Sequence, residues 1–286
     1  MKAFLRTLIC LLTLLISISA RSQTALLYEI SGPGMKKPSY LFGTIHLICP
    51  DDFFLSDSVL NRLNRSQKLV LELDFDAPDL MNTMKEQIMF PEGKHLSQFL
   101  SKGKADTLDN WLKSNFMVGL AELGKMKPVG LMSMMYMKLL NCMPESYEAK
   151  LTALAAAQKK EVLGLETVAE QTSFFDAIPE EEQASMLAEL VQKSEAGENE
   201  FKAMVELYKK QDSEGLLQIT RNSEFEMEGS EKNLLENRNK NWIPVMKKMA
   251  STNRCFFAVG AAHLGGEKGV VNLLKKEGWK VKAVRW

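Results

Sequence analysis

The sequence is poor in histidine, poor in cysteine and without net charge. Its 36 basic and 36 acidic residues cancel, so it lacks the positive field that binding a nucleic-acid backbone requires. Beyond residue 22 no run approaches the roughly 18 apolar residues that a membrane-spanning helix needs. HExxH, G-x-S-x-G and the phosphate-cradling glycine loop are all missing, which removes the usual zinc-peptidase helix, α/β-hydrolase elbow and nucleoside-triphosphatase readings. No linker rich in proline, glycine or serine divides the chain, so residues 23–286 read as one domain.

What is present begins with the N-terminus. Lys2 and Arg6 precede the apolar stretch "LICLLTLLISI", and Ala20-Arg21-Ser22 offers a small-residue exit. Residues 1–22 therefore read as a signal peptide cleaved near Ser22-Gln23, with an uncleaved anchor as the alternative. Loss of Lys2, Arg6 and Arg21 would leave the chain mildly acidic. The expected location is secreted or periplasmic, with no membrane span after signal removal. Of the cysteines that remain, Cys255 opens a strand-like apolar run and suits a buried thiol, which favours a Cys49–Cys142 disulfide. Cys49 also lies three residues after His46, so a ligand role stays open.

Short β-rich runs at 25–30, 40–43, 69–75, 161–166, 255–260 and 280–286 alternate with helical patterns at 56–67, 146–160 and 267–278. Two long helical stretches interrupt them, at about 77–145 and 170–250, the first broken near Pro91-Glu92-Gly93 and Lys127-Pro128. The fold class expected is α/β, a central β-sheet with two large helical insertions. The methionine-rich "LMSMMYMKLL", 131–140, reads as a buried helix rather than a soft-metal site.

Two of the three histidines end matching segments: Gly43 precedes His46 by three residues, Gly260 precedes His263 by three, and leucine follows each histidine. Glycine at a strand end allows unusual backbone angles or a close approach. The imidazoles would then lie at the carboxyl ends of sheet strands, where α/β proteins bind ligands. His95 follows a turn and reads as structural. In "LVLELDFD", strict alternation would set Val70, Glu72, Asp74 and Asp76 on one face. A glutamate in so apolar a run needs a cation or donors to meet it, and Glu166 closes "EVLGLE" in the same way. His46, His263, Glu72 and Glu166 form a mixed nitrogen and oxygen set suited to a divalent metal such as zinc, manganese or cobalt. Glu148, at a helix start, is a candidate ligand or general base. Arg238 in "LLENRNKNW" could neutralise a buried glutamate or clamp an oxyanion. Each of these acidic and basic residues has a plain structural alternative, an ion pair or a solvated face.

The blocks "YLFGTIHL", "LVLELD", "VLGLETVAEQTSFFDAIPEEEQ", "LLENRNKNW" and "FFAVGAAHLGGEKGVVNLLKKEGWKV" together resemble the TraB/GumN (TraB/PrgY) family, which includes the Tiki metal-dependent proteases. The resemblance implies a fold related to erythromycin-esterase-like and haem-binding ChaN-like proteins. By matching position it implies Gly43 with His46 and Gly260 with His263 as the paired motifs, Glu72 and Glu166 as strand-borne carboxylates, and Arg238 in the "ENRN" block. The function expected is a metal-dependent hydrolase, most of all a peptidase, acting on a peptide or small-molecule substrate. Glu72, Glu148, Glu166 and Arg238 are its candidate catalytic groups. The alternatives are a non-catalytic binder of a peptide signal, haem or metal, and an accessory protein in surface polysaccharide production. Substrate, metal identity and oligomeric state are open.

Overall fold

The computed structural model describes residues 24–176, 178–223 and 231–286; the expected signal peptide lies outside the described residues. The expected α/β class is what the structure shows. Six strands form one mixed sheet: β1 (Leu27–Ser31), β2 (Ser39–Thr44), β3 (Lys68–Leu71), β4 (Glu161–Gly164), β5 (Cys255–Gly260) and β6 (Lys280–Val284). Their order is β4-β3-β5-β2-β1-β6. The run from β4 to β2 is parallel, whereas β1 lies antiparallel to β2 and β6 antiparallel to β1. β2 and β5 are buried along their whole length, which suits the near-continuous apolar reading of strands covered on both faces.

Parallel strands need crossovers. α1 (Asp57–Arg65) links β2 to β3, with Ser56 accepting from the Val59 N–H at its start. α6 (Tyr147–Ala157) enters β4, capped by Ser146, and α12 (Val270–Lys276) joins β5 to β6. The first insertion contains α2 (Leu80–Ile88), α3 (Lys102–Phe116), α4 (Leu120–Leu123) and α5 (Pro128–Leu139). The second contains α7 (Val168–Asp176), α8 (Glu180–Gln192), α9 (Ser194–Lys209), α10 (Ser213–Arg221), a π-turn at Glu231–Glu236 and α11 (Asn237–Thr252). Helix breaks fall where proline and glycine predicted them, α5 starting at Pro128.

The two insertions are not independent. Leu96, Leu108, Leu112 and Leu131 from the first pack with Ala184, Leu187 and Leu190 from the second in an apolar core separate from that of the sheet. The methionine-rich segment is buried on one face only: Leu131, Met135 and Leu139 are covered while Tyr136 and Met137 are exposed. No described helix is long and apolar enough to cross a membrane.

Two strand expectations need correction. β3 stops at Leu71 instead of running to Phe75, and β4 stops at Gly164 instead of Glu166. Alternation therefore ends before the carboxylates, because Leu73 turns out of the sheet into a small cluster with Leu80 and Val168. Glu72 and Glu166 stand just past the carboxyl ends of their strands, as do both histidines. In sheet order the edge reads Glu166, Glu72, His263, His46. The Cys49–Cys142 disulfide is formed, its Cα atoms 5.8 Å apart, and Cys255 is a buried free thiol.

Candidate functional site

The paired glycines serve space differently, Gly43 by allowing a close approach and Gly260 by leaving room. Neither takes a positive φ, so the expectation of unusual backbone angles is not met. A Cβ on Gly43 would lie 3.1 Å from the Ala261 Cα and closer still to the Leu264 side chain, so this glycine lets the segment after β5 press against β2. Gly260 does the complementary job. A Cβ there would sit 3.4 Å from Glu72 Oε1, 3.4 Å from His263 Cδ2 and 3.5 Å from His46 Nε2. The absent side chain leaves a small cradle on which both imidazoles and one carboxylate converge. The Tyr208 hydroxyl, from α9, donates to the Gly43 carbonyl at 3.0 Å and ties the first loop to the helical layer.

Each ring is anchored through its Nδ1. His46 Nδ1 lies 3.1 Å from Glu148 Oε1, and that oxygen also accepts from the Thr44 hydroxyl at 2.8 Å. The other Glu148 oxygen accepts from the Ser146 hydroxyl at 3.2 Å. The loop bearing His46 and the approach to Glu148 are further clamped by backbone bonds between Ile48 and Glu145, and by the disulfide. His263 Nδ1 lies 2.6 Å from Asn239 Oδ1. Asn239 Nδ2 donates to the Lys268 carbonyl, which fixes its oxygen toward the ring and makes His263 Nδ1 the donor. With Nδ1 toward these partners, Nε2 of a neutral ring carries the lone pair: that of His46 lies at the cradle, while that of His263, whose Cδ2 borders the cradle, faces Arg238 Nη1.

The carboxylates meet one arginine. Arg238 Nη2 lies 2.5 Å from both Glu72 Oε2 and Glu166 Oε1, and its Nε donates to Glu166 as well. Trp242 Nε1 donates to Glu166 Oε2 at 3.0 Å, and Gln171 Nε2 donates to both Glu166 and Glu72. Glu166 is thus filled by donors. Glu72 keeps Oε1 for the Gly260 N–H at 2.7 Å and for the cradle. Arg238 Nη1 donates to the Leu234 carbonyl and stands 3.3 Å from His263 Nε2, while its guanidinium lies over the Trp242 ring.

The two histidines differ in charge. Burial pushes His263 down to about 3, with Arg238 and His46 adding repulsion that Glu72 offsets in part. At neutral pH this ring is uncharged. Burial opposes the Glu72 charge, but His263, Arg238, His46 and the Gly260 N–H together hold its carboxyl at about 2. Since His263 is neutral at neutral pH, permanently charged Arg238 and protonated His46 are the cations that hold Glu72 down there. At His46 the cost of desolvation is outweighed by the Glu148 charge and hydrogen bond and by Glu72, raising its pKa to about 9. Its side chain is 61% exposed, so water at the open ring edge screens part of that rise.

Among the described residues, no three His, Cys, Asp or Glu side chains are gathered closely enough to hold a metal ion together. Arg238 supplies the physical reason, since it draws Glu72 Oε2 and Glu166 onto its own fork and faces His263 Nε2. The donor chemistry nonetheless suits a divalent ion: two imidazole nitrogens whose other nitrogen is anchored, one carboxylate oxygen, and a space that a Cβ would fill. Fit requires that Nη1 yield its place at His263.

Of the residues singled out by sequence, His46, His263, Glu72, Glu166, Arg238, Gly43 and Gly260 meet in one region. Glu148 joins through His46, with both oxygens engaged. Cys49 is in the disulfide, and His95 caps the short turn Leu96–Phe99. Sequence reasoning missed Asn239, Gln171, Trp242, Thr44 and Tyr208. Asn239 had a signal: asparagine is a poor helix former, and it lies one residue after Arg238 inside α11.

A family model, that of the TraB/PrgY/gumN family, matches residues 26–283, and the chain belongs to that family. Neither a curated protein nor a solved structure matches it.

Proposed function

We propose that this member of the TraB/PrgY/gumN family is an extracytoplasmic hydrolase of peptides that works with a divalent ion, manganese, cobalt or zinc. The observation that carries the reading is the convergence of His46 Nε2, Glu72 Oε1 and the His263 ring on the Gly260 cradle. His46 and His263 would hold the ion with Glu72, and the ion would lower the pKa of its water and polarise the scissile carbonyl. Glu72 is the carboxylate that reaches the cradle, so third donor and acceptor of the water's proton are both tasks that fall to it. Glu148 and Glu166 act at one remove: the first orients His46, the second holds Arg238. Arg238 Nη1, once released from His263 Nε2, becomes a free donor beside the cradle for a developing oxyanion. The disulfide supports an oxidising compartment.

Elemental analysis of the purified protein, followed by a peptide-library digest with and without manganese, cobalt or zinc, tests this. His46→Ala and His263→Ala should each abolish turnover, a loss of at least about 100-fold, with far-UV circular dichroism unchanged. Metal-stimulated cleavage retained by both variants would overturn it. The hold of Arg238 on Glu72, Glu166 and His263 favours a second reading, stoichiometric capture of a ligand without turnover. In that case a peptide signal, haem or metal is bound in fixed stoichiometry and no product forms.

A further inference from the structure

A cavity of about 370 Å³ opens on the far side of the Arg238–Glu166 pair, between α7 and α11. Its floor is already satisfied: both Glu166 oxygens accept bonds, Gln171 Nε2 donates to Glu72 and Glu166, and Arg238 spends its donors on those two carboxylates, the Leu234 carbonyl and His263. What remains open is a wall of carboxamides. Asn233, Asn237 and Asn241 line the cavity from the π-turn and α11, facing Gln171 from α7, with Leu165 and Val245 as apolar neighbours. Asparagine is disfavoured inside helices because its side chain competes for backbone partners, so three on one face call for a reason. Only part of it is internal: Asn237 Nδ2 donates to Asn233 Oδ1 at 2.9 Å. Asn241 has no side-chain partner among the described residues and is exposed.

We propose that this cavity is a subsite for an extended peptide backbone, read by the carboxamides of Asn237 and Asn241. A carboxamide presents the same donor and acceptor pair as a peptide bond. Four residues of helix advance about 6 Å, close to the roughly 6.6 Å between alternate residues of an extended chain. Asn237 and Asn241 can therefore meet two successive peptide units that face the same way. The lining carries two carboxylates, Glu166 and Glu170, against the single guanidinium of Arg238, and the Thr167 bonds favour the charged form of Glu170, so the cavity disfavours an anionic ligand. Its aromatic lining residue, Trp242, is buried with Arg238 over its ring, so no exposed face is offered on which a sugar would stack. An uncharged stretch of main chain fits these walls best.

This inference deepens the peptidase reading but can be tested without turnover. The side-chain amide signals of Asn237 and Asn241 would be followed by nuclear magnetic resonance while acetyl-trialanine-methylamide is added to the protein. Both should shift together, and Asn237→Leu or Asn241→Leu should weaken binding about five- to tenfold, one hydrogen bond's worth. N-methylation of the peptide's alternate nitrogens should abolish the shifts, and maltotriose should leave them unmoved. Amide signals that stay put at about 20 mM peptide, or that respond equally to the N-methylated analogue or the sugar, would overturn the proposal. Binding without hydrolysis would sink only the peptidase reading. Hydrolysis without contact at the asparagines would sink only the subsite.

Discussion

The two halves of the site carry the same local sequence and opposite physics. His46 opens to solvent, leans on a carboxylate and has a raised pKa; His263 is 5% exposed, leans on an amide and stays neutral. At His46 the carboxylate that partners Nδ1 decides the outcome; at His263 burial does, and its amide partner only orients the ring. A Gly-x-x-His-Leu segment places a ring at a strand end, and the surroundings supplied by the rest of the chain set its charge. One neutral buried imidazole and one exposed, proton-holding imidazole give the site a fixed donor and a titrating one.

The largest test of that asymmetry removes the cation of the buried half. Arg238→Met keeps much of the side-chain volume but strands Glu72 and Glu166, both nearly buried, without their counter-charge. Breaking a buried pair this way costs about 3–5 kcal/mol, which urea denaturation at pH 7 would read directly. A loss below about 1 kcal/mol would mean that the carboxylates are solvated and the two halves are less different than their geometry implies.

Acid should act next most strongly, and on the same half. The folded-state pKa of His263, about 3, lies below the ordinary 6.5, so the native protein resists a proton that the unfolded chain takes up. The stability associated with a neutral ring is therefore present above pH 6.5 and drains away as pH falls toward 3. Glu72, also depressed, adds a loss beginning near 4.5 and completing around 2. His46 has the opposite sign: its contribution is full below 6.5 and is lost as pH rises through about 9. Denaturation midpoints measured from pH 4 to pH 10 should fall steeply on the acid side and gently on the alkaline side. A His263→Asn variant with an unchanged acid limb would break the assignment.

The parts of this arrangement legible in sequence were those with local grammar. Apolar runs marked four strands well and the other two, β3 and β4, at their cores, and matched spacing marked Gly43–His46 and Gly260–His263 as equivalents. The helix breaks at Pro91 and Pro128 followed from proline's missing N–H. Period-two alternation carried β3 too far, because Leu73 looks like a further inward residue although it packs with Leu80 and Val168 outside the sheet. Partner choice was not legible. Nothing local says that Asn239 and not Glu236 meets His263, or that Glu148 reaches His46 across 102 positions. Those pairings are set by how α6 and α11 cross the strand ends, which is a property of the tertiary packing.

The smallest expected change in stability tests the open half most directly. Glu148→Gln preserves the shape beside His46 and can still accept a hydrogen bond from Nδ1, but it removes the negative charge that most opposes desolvation there. The His46 pKa should then drop from about 9, because the carboxylate that chiefly raises it is gone, Arg238 still pushes downward and only Glu72 still pulls up. Stability should change by less than about 1 kcal/mol, since the ring is solvent-exposed and screened. With three histidines in the chain, proton resonance titration can follow His46 individually against His95 and His263. If the His46 midpoint stays where it was, Glu148 does not control it, and the contrast between the two halves must come from burial alone.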